Sequence, residues 1–134
     1  VPHLTVEYSA NLRAESDIPG LLPKLARCLI DLRADGKPVY PAGGVRVRAY
    51  EATEYCIADG SIDAAFVNAT LRIGGGRSRA AVRATGDALF EVLKAHFAAL
   101  FERRGLALSL YIDEVNEDGS WKQNNLHRRL GRPE

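Results

Sequence analysis

The sequence predicts an α+β fold: two β-α-β units that combine into a four-stranded mixed sheet with two helices on one face. Three observations carry this prediction. Strand-like alternation and helix-like spacing occur in the same order in each half of the chain. A glycine-rich break precedes the next element in both halves. Crossovers between parallel strands carry a helix over one sheet face. The 134 residues fall in the one-domain range, so residues 1–134 are read as a single domain.

In the first half, Leu4, Val6 and Tyr8 alternate with Thr5, Glu7 and Ser9, a period of two that marks a strand. Ser16 or Asp17 followed by Pro19 suits a helix start, because a side-chain acceptor and an early proline both fit the first turn. Leu21, Leu22, Leu25, Cys28, Leu29 and Leu32 follow at helical spacing, with Asp35-Gly36 as the expected stop. Pro23 is placed near the first turn, where a missing N–H costs least. A loop through Pro38 and Pro41 then leads to Gly43-Gly44 and a strand over residues 45–50.

The second half reads as a strand over residues 64–73, broken by Gly74-Gly75-Gly76. Ser78 caps one long helix that runs to Gly105, with Val82, Leu89, Phe90, Leu93, Phe97, Leu100 and Phe101 on its inner face. Gly86 inside that helix costs about 1 kcal/mol against alanine, so a packing reason is expected. Leu106, Leu108, Leu110 and Ile112 alternate as the last strand. Alternation places Glu7, Arg46, Arg48, Asn68 and Arg72 on the sheet face away from the helices, with Tyr50, Phe66 and Thr70. Such a mixed face suits association, and an oligomer is expected.

Composition narrows the function. Apolar residues make up 46% and charged residues 26%, ordinary values for a globular domain. A net charge of +1 lacks the basic excess of a non-specific nucleic-acid binder, so no nucleic-acid partner is expected. No apolar run approaches the roughly 18 residues of a membrane span, and no basic-then-apolar leader is visible, so no membrane partner is expected. Cys28 and Cys56 lie outside any C-x-x-C pattern and are expected to be reduced, structural thiols in a cytoplasmic protein. His3, His96 and His127 have no metal-ligand spacing, so no metal is expected.

Three features remain for chemistry. Pro2 precedes the first strand; once the residue before it is removed, its ring nitrogen becomes a secondary amine rather than an amide. An unperturbed α-amine titrates at roughly pH 7.7–8.0, close to what a general base near neutral pH requires. The plain alternative is a proline that stiffens a chain terminus. Pro41-Ala42-Gly43-Gly44-Val45-Arg46 delivers Arg46 to the start of a strand, and Ile73-Gly74-Gly75-Gly76-Arg77-Ser78 delivers Arg77 to the front of a helix. A guanidinium beside free N–H groups suits a carboxylate; the alternative is a solvated surface charge in each case. Trp121-Lys122-Gln123-Asn124-Asn125 reads as a surface turn or a subunit contact.

Together these segments resemble the tautomerase superfamily, and within it the family of 5-carboxymethyl-2-hydroxymuconate Δ-isomerases of homoprotocatechuate (4-hydroxyphenylacetate) degradation. The resemblance covers nearly the whole chain. It rests on Pro2-His3 with Val6-Glu7, Asp17-Ile18-Pro19-Gly20-Leu21, Ala42-Gly43-Gly44-Val45-Arg46-Val47-Arg48 and Ala58-Asp59-Gly60. It continues through Ala65-Phe66-Val67, Ile73-Gly74-Gly75-Gly76-Arg77-Ser78, His96-Phe97-Ala98-Ala99-Leu100 and Lys122-Gln123-Asn124-Asn125. It implies a tautomerase-like β-α-β repeat assembled as a homotrimer, with Pro2 as the catalytic base of a cofactor-independent enol–keto isomerisation. Arg46 and Arg77 would hold a small di- or tricarboxylate substrate, and Arg13 would assist them. Removal of Val1 belongs to this expectation, since a retained Val1 leaves Pro2 an amide. The inserted residues 34–40 are expected to shape the active-site entrance. Another tautomerase reaction, such as 4-oxalocrotonate-type isomerisation or halo-acid hydration, stays open, as does a non-catalytic anion-binding β-α-β module.

Overall fold

Leu4, Val6 and Tyr8 point to one side of the first strand and are buried there, whereas His3, Thr5 and Glu7 point to the other side and are partly or fully exposed. This strand, β1 (His3–Ser9), lies inside a four-stranded sheet of order β4-β1-β5-β6, built with β4 (Arg46–Ala52), β5 (Ala64–Gly74) and β6 (Gly105–Val115). The computed structural model describes residues 2–131. β1 runs parallel to β4 and β5 parallel to β6, while the central pair β1/β5 is antiparallel. Each parallel pair is one β-α-β unit, closed by α1 (Ile18–Asp31) or α2 (Arg79–His96). Both expected units are therefore present, joined side by side in one mixed sheet.

Helix α1 begins where the Asp17 side chain accepts the Gly20 N–H at 3.0 Å. Its Ile18, Leu21, Leu25 and Leu29 recur at helical spacing and are buried against the sheet. Each such side chain contributes about 1.5–3 kcal/mol relative to exposure. Pro23 lies inside the helix, beyond its first turn, yet α1 continues through it. Ser78 accepts the Ala81 N–H at 3.1 Å and starts α2, whose Thr85, Leu89 and Leu93 face inward.

Three local expectations need correction. Asp35-Gly36 does not stop α1, which already ends at Asp31. These two residues form the turn of a small hairpin, β2 (Arg33–Ala34) and β3 (Lys37–Pro38), with φ of 54° and 75°. Positive φ at both turn residues is what a two-residue Asp-Gly hairpin requires. The second helix is not continuous either: it breaks at Phe97 (φ −101°, ψ 11°), and α3 (Ala98–Arg103) follows. The bend lets Phe97 and Leu100 bury together while Phe101 turns outward, 59% exposed. Lastly, nothing among the described residues demands Gly86, since an added Cβ would meet only Ile112 Cδ1, at an ordinary 3.5 Å.

The face away from the helices has the composition that alternation predicts. Arg46, His3 and Arg72 form one row across β4, β1 and β5; Arg48, Thr5 and Thr70 form the next; Tyr50, Glu7 and Asn68 the third. A last helix, α4 (Leu126–Leu130), packs on the 3-10 turn Ala42–Gly44 ahead of β4. Among the described residues no helix is long and apolar enough to cross a membrane.

Candidate active site

Pro2 stands immediately ahead of β1 and is buried. Its carbonyl accepts the backbone N–H of Arg46 at 3.0 Å, which ties the start of β1 to the start of β4. Val1, whose removal the sequence reading requires, lies outside the described residues. Since His3 pairs with Arg46 on one side and Arg72 on the other, the next step of the register sets Pro2 beside Val45 and Ile73. Both glycine-bearing segments therefore end at the same edge of the sheet as Pro2.

Arg46 and Arg77 share one local geometry. Arg46 Nη1 donates to the carbonyl of Gly43 at 2.7 Å, and Arg77 Nη1 donates to that of Gly74 at 2.9 Å, each three residues back. Arg77 Nη2 also donates to the Val39 carbonyl at 3.4 Å, and its guanidinium carbon sits 4.6 Å from the Tyr40 ring centroid. These contacts orient each guanidinium without neutralising it. Among the described residues, neither arginine has a carboxylate within ion-pairing distance, whereas Arg13, Arg79 and Arg104 are paired with Glu51, Glu114 and Glu15. Two half-buried cations without a direct ion-pair partner, at one sheet end, favour a bound anion.

Two supporting groups escaped the sequence reading. Tyr40 is fully buried, and its hydroxyl lies 2.9 Å from Thr85 Oγ1, which itself donates to the Ala81 carbonyl; Tyr40 is then the donor. His127 of α4 is buried on the Gly43 turn, where a Cβ would stand 2.7 Å from its Nδ1 and 2.8 Å from its backbone nitrogen. Asn124 Nδ2 lies 3.4 Å from both the Gly43 carbonyl and His127 Nε2, while its Oδ1 accepts the Leu126 N–H at 2.6 Å. Of the amide run near the C-terminus, Gln123 and Asn125 are exposed, while Asn124 thus packs against the turn that delivers Arg46. Its only hint in the sequence was the amide-rich composition of residues 123–125.

Other candidates sit elsewhere. Arg13 is bonded to Glu51 at 2.6 Å, level with Tyr8 at the far end of β1, on the order of 20 Å from Pro2 by strand rise. The structure does not bring it to Pro2 within one protomer. His96 ends α2 beside Lys24 Nζ, 3.3 Å from its Nδ1; burial and then the Lys24 charge lower its pKa. Glu7, placed on the open sheet face among arginines, has no ion-pair partner among the described residues; its neighbours across the sheet are Tyr50 and Asn68. Both cysteines are free thiols, but Cys56 is exposed rather than packed.

The 5-carboxymethyl-2-hydroxymuconate isomerase family model matches residues 2–130, from the proline through α4. The chain belongs to that family. A 5-carboxymethyl-2-hydroxymuconate Δ-isomerase of Escherichia coli is 44% identical over 127 residues, 95% of this chain and 97% of that protein. The crystal structure of a 5-carboxymethyl-2-hydroxymuconate isomerase from Deinococcus radiodurans R1 superposes with a TM-score of 0.87 at 52% identity, covering 96% of this chain and 93% of the other. A further crystal structure of a 5-carboxymethyl-2-hydroxymuconate Δ-isomerase gives a TM-score of 0.91 at 36% identity, over 100% and 95% of the two chains. A fused 4-OT symmetric trimer shares the fold at 15% identity, with a TM-score of 0.64 over 90% of this chain and 93% of the other. The protein is an isomerase with a tautomerase-superfamily fold.

Proposed function

We propose that this enzyme converts 5-carboxymethyl-2-hydroxymuconate to its 2-oxo isomer in homoprotocatechuate degradation, with Pro2 as an N-terminal general base. The observation that supports this reading most is the pair of oriented arginines without a direct carboxylate partner, Arg46 and Arg77, delivered to the same sheet end as Pro2. They would hold substrate carboxylates. As cations in a partly buried setting, they would also lower the pKa of the proline amine, so that it is neutral at working pH. The amine takes the enol hydroxyl proton, the electron pair moves through the conjugated double bonds, and the proton returns to the far carbon. The product has the same atoms as the substrate. The dienol carries its own delocalisation, so the reaction calls for no metal or organic cofactor.

The active assembly in this reading is a homotrimer, supported by the polar-and-aromatic open sheet face and by the trimeric fold relative. Arg13, far from Pro2 within the protomer, would act only on a neighbouring subunit's site. Two free thiols suit a reducing compartment, and the cytoplasm is the proposed location.

An ultraviolet assay of ketonisation, run on matched preparations beginning at Pro2 and at Val1, tests the reading. Fast conversion by the Pro2 form alone is expected. Equal rates from both forms would remove the proline amine from the mechanism, and no conversion by either would remove the substrate.

A further inference from the structure

The open sheet face holds a cavity of about 440 Å³ that the chemistry above leaves unused. Its cationic lining is Arg48 from β4, Arg72 from β5 and Lys122 from the segment between β6 and α4. His3, Thr5 and Thr70 supply neutral polar groups, and no aspartate or glutamate lines it. Arg48 and Arg72 flank β1 from its two neighbouring strands, one row apart, with backbones about 12 Å from each other. Two long side chains at that separation can close on one small anion lying over β1.

The hydrogen-bonding roles point the same way. Arg48 Nη1 lies 3.1 Å from His3 Nδ1, and a guanidinium only donates. His3 Nδ1 is then the acceptor, and the neutral ring carries its proton on Nε2, a further donor in the lining. Neither Arg48 nor Arg72 has a carboxylate partner among the described residues, although Asp113 stands directly across from Arg72 on β6. Lys122 is held 3.4 Å from Glu117. The cavity also reaches the end of the sheet that holds the proposed base, through Ile73, which the register sets beside Pro2, and its neighbour Gly74.

A 5-carboxymethyl-2-hydroxymuconate carries three carboxylates: two on the muconate chain and one on the carboxymethyl branch. Arg46 and Arg77 account for two. We infer that the cavity of Arg48, Arg72, Lys122 and His3 is the subsite for the third, the carboxymethyl carboxylate, and so selects the branched acid. This inference rests on the substrate reading given above.

Trp121 lines the same cavity and is the only tryptophan of the chain, so its emission reports occupancy. Titration with tricarballylate, a tricarboxylate that cannot isomerise, is expected to give a saturable change. Arg72→Gln and Arg48→Gln should each raise the Kd about ten-fold, the usual size of a lost charge-assisted hydrogen bond, and Arg72→Lys should recover part of it. In turnover the two glutamine variants should raise KM for 5-carboxymethyl-2-hydroxymuconate about ten-fold and leave KM for unbranched 2-hydroxymuconate unchanged. A flat titration beside fast turnover would overturn the subsite and leave the proline chemistry standing, as would equal KM rises for both acids. A saturable, Arg72-dependent titration without turnover of either acid would support the carboxylate site and sink the isomerase substrate.

Discussion

Arg77 stacks on Tyr40, its guanidinium carbon 4.6 Å from the ring centroid, and this joins the two halves of the molecule at the site. Arg77 follows β5 in the second β-α-β unit, whereas Tyr40 follows the small hairpin of the first. Residues 39 and 40 together hold Arg77: Val39 accepts a hydrogen bond from it and the Tyr40 ring supports its charge.

A half-buried cation–π contact is worth about 0.5–2 kcal/mol. Tyr40→Leu should therefore raise KM for the carboxylate substrate roughly two- to thirty-fold with a smaller effect on kcat. Tyr40→Phe keeps the ring and loses only the hydrogen bond to Thr85, so KM should stay near wild type while stability drops by about 1 kcal/mol. Steady-state kinetics of the two variants check the assignment; an equal KM rise in both would assign the effect to the hydroxyl.

The Gly43 turn and His127 leave no room for a side chain between them. Gly43→Ala would set a Cβ against the backbone nitrogen of His127, so α4 must shift. Overpacking of this kind costs about 1–3 kcal/mol, and because the Gly43 carbonyl orients Arg46, kcat/KM should fall as well. Gly43→Ala combined with His127→Ala should recover part of the lost stability. Thermal unfolding of the single and double variants measures that coupling, and strict additivity would dismiss the contact.

His3 and His96 make stability depend on pH in a definite direction. Burial, then Arg48 and the neighbouring arginines, lower the His3 pKa below 6.5; burial and then Lys24 lower that of His96. Below pH 6.5 the unfolded chain binds protons that these folded rings refuse, so stability rises with pH through this window and is lost as pH falls from 6.5 toward the folded values. Tm at pH 7.5 should exceed Tm at pH 5.5, and His3→Gln with His96→Gln should flatten that difference. An unchanged slope would show that the rings do not carry it.

Much of this was legible along the chain. Period-two alternation placed Leu4, Val6 and Tyr8 inward and Arg46, Arg48 and Arg72 outward, because side-chain direction along a strand depends only on neighbouring residues. The caps at Asp17 and Ser78 were legible for the same reason, since a cap bonds within three residues. The resemblance identified the family, and the comparisons bear it out. Asp35-Gly36 misled because one dipeptide serves equally as a helix stop or a hairpin turn, and local sequence does not choose between them. The tertiary structure alone decided that Arg13 and Pro2 stand at opposite ends of β1, that Tyr40 lies under Arg77, and that His127 rests on Gly43. The two meetings join residues 37 and 84 positions apart, and the one separation parts residues only 11 positions apart. Nothing in the periodicity of one segment records which distant segment will cover it; that is settled only when the sheet, its crossovers and α4 close on a common core.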